Sequence, residues 1–169
     1  MHELQSLDDL PKAEQYARLA EQARALLAGE HDRIANAANL SALLYHSLPA
    51  VNWVGFYLWD GRELVVGPFQ GKPACVRIGL GQGVCGAAAE RAETLVVADV
   101  HAFPGHIACD AASRSEIVVP LTLVDGELYG VLDLDSPEPA RFDEDDRSGL
   151  EALAQIYLAA CRSAGGFSS

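Results

Sequence analysis

Two Asp-Gly pairs, each set between strand-like runs, constrain the fold of this chain more than any other feature. "VNWVGFYLW" leads into Asp60-Gly61 and then "ELVV", and "EIVVPLTLV" leads into Asp125-Gly126 and then "ELYGVLDLD". Asp-Gly between such runs marks a β-hairpin, because the glycine takes the positive φ that a tight turn needs. Hairpins join antiparallel neighbours, whereas parallel strands need long crossovers. "ACVRI" and "TLVVAD" add two more candidates, for about six strands.

Helical periodicity surrounds this strand-rich middle. In "LPKAEQYARLAEQARALLAGE", Pro11 can open a helix that carries Tyr16, Leu19, Ala20, Ala23, Leu26 and Leu27 on one side, with Gly29 as its stop. "HDRIANAANLSALLYHSL" predicts a second helix that ends before Pro49. "FDEDDRSGLEALAQIYLAACRS" predicts a last one, capped by Asp143, with a stripe of Leu150, Leu153, Ala154, Tyr157 and Cys161. The expectation is one α+β domain over residues 1–164, a largely antiparallel sheet with the N- and C-terminal helices on one face, and a frayed tail at 165–169.

Composition narrows the function. A formal net charge of −12 and a pI near 4.6 leave no basic surface for nucleic acid or an anionic membrane. No apolar run approaches the roughly 18 residues of a membrane span, and no signal-peptide core precedes the first helix. These features predict a soluble, cytoplasmic protein. In a reducing compartment, Cys75, Cys85 and Cys109, three of the four cysteines, read as catalytic, redox-active or metal-binding. Cys161, on the last helix's apolar stripe, reads as a core thiol.

Strand alternation sorts the chemistry into faces. Trp53, Gly55 and Tyr57 share one face, and Val131, Asp133 and Asp135 share one face of their strand; Glu116 opens the strand paired with it. The opposite faces are apolar and should pack on the helices. Carboxylates beside aromatic rings suit an ammonium group; the plainer reading is a solvated acidic face.

Gly81, Gly83 and Gly86 have the GxGxxG spacing of a dinucleotide site, but the unit is short and hairpins replace the further βαβ units such a site needs. Backbone N–H groups offered to a small anion near a helix start are the better use of these glycines. A zinc site drawn from Cys75, Cys85, His101, His106 and Cys109 matches no structural zinc spacing. His101 and His106 can tune the thiol in "HAFPGHIACDAAS", or be plain surface residues.

"GPFQGKPACVRI", "GQGVCG", "DVHAFPGHIACDAASRSEIVVP" and "GVLDLDS" together resemble the free methionine-(R)-sulfoxide reductases, enzymes built on a GAF-type domain, over about residues 50 to 160. The resemblance implies thiol-dependent reduction of free methionine-(R)-sulfoxide to methionine. The family's three cysteines fall on Cys75, Cys85 and Cys109, and its pocket residues on Trp53, Tyr57, Glu116, Asp133 and Asp135. It implies attack by a thiolate, with Cys109 the first choice and Cys85 the alternative, a sulfenic acid, then a disulfide with Cys75 as first choice or Cys85 as the other partner. An external dithiol such as thioredoxin would reopen the disulfide, with no metal or organic cofactor, and a homodimer is expected. The rival from another class is a non-catalytic GAF-type sensor of an amino-bearing ligand. Sensors are usually fused to an output domain, and this length leaves no room for one.

Overall fold

The structure is a computed structural model that describes residues 7–106 and 111–162. Helices α1 (Lys12–Leu27) and α2 (Arg33–Ser47) come first, then strands β1 (Trp53–Trp59), β2 (Leu64–Gly71) and β3 (Arg77–Ile78). Helix α3 (Gly83–Arg91), strand β4 (Leu95–Val97), a 3-10 turn at Val100–Ala102, strands β5 (Ser115–Thr122) and β6 (Leu128–Ser136) and helix α4 (Glu144–Arg162) follow. The six strands form one sheet in the order β3-β2-β1-β6-β5-β4, every pair antiparallel.

Both Asp-Gly turns form. Gly61 and Gly126 have φ of 98° and 89°, and Asp60 and Asp125 each accept backbone N–H bonds from the turn through Oδ1. Prolines mark where pairing changes. Gly67-Pro68 sits at the bulge where β2 opposes Phe56 of β1, and Pro120 lies past the end of β4. At both places the missing N–H is tolerated. In "ACVRI" the strand is only Arg77 and Ile78, with the Val76 carbonyl also accepting from the Val66 N–H, shorter than expected. Pro73, which has no N–H to give a ladder, precedes it.

The alternation expected from sequence divides the core. Val54, Phe56, Ile117, Val119, Leu132 and Leu134 meet α1, α2 and α4 through Leu19, Leu40, Leu44, Leu150, Leu153 and Tyr157. Fully burying an aliphatic or aromatic side chain contributes about 1.5–3 kcal/mol, so this layer is the main source of stability. Asp32 caps α2 through Ile34 and Ala35, and Asp143 accepts from the N–H groups of Asp145 and Asp146 at the start of α4. On the opposite face Trp53, Tyr57, Val118 and Val131 pack beneath α3, against Val84, Cys85, Ala88 and Ala89. Helices therefore cover both faces, and the smaller covered face holds the polar residues. No helix among the described residues is long and apolar enough to cross a membrane.

Candidate active site

The site begins with strand register. Trp53 of β1, Asp135 of β6 and Glu116 of β5 lie in one row across the sheet, and Gly55, Asp133 and Val118 form the next. Helix α3 closes over these rows and brings down Cys85, whose Sγ lies 3.8 Å from Glu116 Oε1. Trp53, Tyr57, Cys85, Glu116, Asp133, Asp135 and His106 line one cavity of about 40 Å³, space for a few water-sized groups.

The aromatic wall is a stack of three rings. Trp53 lies 5.8 Å from Tyr57 at 24° and 5.1 Å from Phe69 at 17°. Its Nε1 donates to the Lys72 carbonyl at 3.1 Å. Both expected rings are buried rather than exposed among acids, because α3 and the segment at Lys72–Ala74 cover them. Phe69 was missed by the sequence reading. It pairs with Gly55, and an added Cβ there would press on Phe69 and on the Trp53 ring, so Gly55 makes room for the stack.

Electrostatically the cavity holds its acids in the protonated direction. Glu116 and Asp133 are 6% and 5% exposed, and their carboxyl oxygens lie within 4.8 Å of each other. Burial pushes both well above the usual carboxylate range, with the Asp133 charge adding for Glu116 and the Asp135 charge for Asp133. One proton is thus retained between two carboxyls that cannot both ionise cheaply. Burial, then the charges of Asp133 and Glu116, likewise drives the Cys85 thiol up, so Cys85 is held as a thiol.

The glycine-rich loop behaves only partly as expected. The N–H groups of Gly81, Gln82 and Gly86 are used by the carbonyls of Gly86, Gly79 and Gln82. The remaining donors, on Gly83, Val84 and Cys85, form the first turn of α3 and have no acceptor among the described residues. These three residues line the cavity, so the anion-facing set is Gly83 to Cys85 rather than the whole loop. Gly86 serves packing, since a Cβ there would collide with the Gly79 carbonyl. With every ladder antiparallel, no βαβ dinucleotide unit is present among the described residues.

Cys109 lies outside the described residues. Cys75 is half-buried beside the residues Lys72–Ala74 that line the cavity, and Cys161 is buried in the opposite layer near Asn36. His101 is exposed and His106 reaches the cavity wall, their ring centroids 6.3 Å apart. Burial, then His101, lowers the His106 pKa from its ordinary value. Among the described residues, the donor group close enough to hold a metal is Cys85, Glu116 and Asp133, not the cysteine–histidine set.

The GAF domain family matches residues 14–159. The free methionine-R-sulfoxide reductase of Escherichia coli is 54% identical over 142 residues, covering 84% of this chain and 86% of that protein. The enzyme of that name from Saccharomyces cerevisiae is 44% identical over 79% of this chain and 78% of its own. The structure of the Neisseria meningitidis free methionine-R-sulfoxide reductase in complex with its substrate superposes with a TM-score of 0.89 at 47% identity, covering 95% and 96% of the two chains. A domain match spanning most of the chain, and identities of this size over nearly whole lengths, place the chain in the GAF-domain family and, within it, among the free methionine-R-sulfoxide reductases.

Proposed function

We propose that this protein reduces free methionine-R-sulfoxide to methionine by thiol chemistry at the cavity under α3. The observation that carries the reading is the cavity's two-ended polarity: buried carboxyls and stacked rings on the sheet, and above them helix N–H groups with no acceptor among the described residues. A free amino acid fits both ends. Its ammonium meets Asp135, its carboxylate meets the Gly83–Cys85 turn, and Trp53 with Tyr57 encloses the methyl sulfoxide, whose oxygen faces the Glu116–Asp133 pair. A peptide-bound methionine sulfoxide lacks both charged ends, so the cavity rejects it.

In the proposed cycle the Cys109 thiolate attacks the sulfoxide sulfur while the oxygen is protonated from the Glu116–Asp133 pair. Methionine leaves and Cys109 is left as a sulfenic acid. Cys75 then condenses with it, forming the disulfide and releasing water. The raised pKa of Cys85 disfavours it as the attacking group. A thioredoxin-like dithiol restores the reduced enzyme, the working form being a cytoplasmic homodimer with no resident cofactor.

Coupled NADPH oxidation through thioredoxin and its reductase, with the R- and S-epimers of free methionine sulfoxide and a sulfoxide-bearing peptide, tests this. Turnover of the free R-epimer alone, abolished in Cys109→Ser, is expected. No turnover of either epimer by folded, reduced protein would leave a ligand sensor as the better account.

A further inference from the structure

We propose that Cys85, Glu116 and Asp133 form a site for a soft divalent cation, zinc, which occupies the cavity of the reduced protein and shuts it to substrate. The three side chains come from three elements, α3, β5 and β6, and their donor atoms all lie within 4.8 Å of one another. Zinc–sulfur and zinc–oxygen bonds of about 2.3 and 2.0–2.2 Å at tetrahedral angles set sulfur and oxygen about 3.5 Å apart. Cys85 Sγ and Glu116 Oε1 stand 3.8 Å apart, so little movement is needed.

A second observation points to a ligand. Asp133 Oδ1 is buried without a hydrogen-bond partner, in a side chain that lines the cavity. Among the described residues neither Glu116 nor Asp133 pairs with a basic side chain. A dication supplies the missing partner and neutralises the crowded acids. The cavity leaves a fourth position open to water, and the sulfur donor selects zinc over magnesium or calcium. Coordination ties up Cys85 as a thiolate and displaces the proton shared by Glu116 and Asp133, both protons passing to solvent.

Co²⁺ is the probe, added anaerobically to reduced full-length protein and then displaced by Zn²⁺. One equivalent should bind, with a thiolate-to-cobalt charge-transfer band and the visible bands of tetrahedral cobalt. Cys85→Ser should lose the charge-transfer band, and the near-isosteric Asp133→Asn should weaken binding by about 10-fold or more, while Cys161→Ser binds as the parent does. If Cys85→Ser does not fold, Asp133→Asn carries the test. No saturable binding, a band that survives in Cys85→Ser, or full affinity in Asp133→Asn would overturn the site. Competition by free methionine-R-sulfoxide rests on the proposed function: cobalt bound through Cys85 but indifferent to the sulfoxide would uphold the metal site and defeat the substrate placement.

Discussion

At the scale of single residues, the site is built at the expense of stability. The folded protein keeps on the Glu116–Asp133 pair a proton that the unfolded chain releases near pH 4. Because the native state binds more protons in that window, stability falls as pH rises from about 4 toward the raised values. Asp133→Asn removes one buried acid and relieves the other. It should therefore be more stable than the parent above neutral pH, by about 1 kcal/mol or about 2–4 °C in Tm, with the advantage shrinking as pH approaches 4. Activity should fall at the same time. Melting curves between pH 4.5 and 8.5 check this, and a variant less stable than the parent at the alkaline end would refute it.

At the scale of elements, the site depends on how closely β1 and β2 approach. A Cβ on Gly55 would stand 2.7 Å from the Trp53 ring and 2.9 Å from the Phe69 Cα, and backbone cannot step aside as a side chain can. Gly55→Ala should cost about 1–3 kcal/mol through overpacking and push Trp53 off its stack with Tyr57. Urea unfolding reads the first effect and a raised KM for the free sulfoxide reads the second. Stability within experimental error of the parent would show that the strands part at no cost. The same register argument explains Phe69: its place behind Trp53 follows from cross-strand pairing, which no local pattern in "GPFQG" reveals.

At the scale of the whole molecule, one buried carboxylate joins parts of the chain remote in sequence. Asp146 is fully buried and accepts from Tyr16 Oη and Lys12 Nζ, both at 2.6 Å, from Arg141 Nη1 at 3.2 Å and from the Asp143 N–H at 2.8 Å. Arg141 Nε also donates to the Pro49 carbonyl just before β1. Helices α1 and α4, the segment after β6 and the approach to β1 are thus held at one point. Removing one partner of a buried ion cluster costs about 3–5 kcal/mol because the rest is left uncompensated. Asp146→Ala should lower Tm by about 6–20 °C, measured by calorimetry. A loss below about 1 kcal/mol would mean that the cluster is solvated and structurally idle.

Local sequence determined the hairpins, the three long helices and the division of β1 and β6 into an apolar and a functional face. Each rests on interactions within a few residues: turn chemistry, capping and side-chain period. The motifs around Cys75, Cys85 and Cys109 carried the family, and with it Trp53, Tyr57, Glu116, Asp133 and Asp135. What only the tertiary structure decided is how those groups meet. The row Trp53–Asp135–Glu116 requires β6 to lie between β1 and β5, strands far apart in the chain. The pressure on Glu116, Asp133 and Cys85 arises because α3 folds over that row and excludes water. Long-range packing sets the dielectric and the charge spacing of the site, and neither is written in any local stretch of residues.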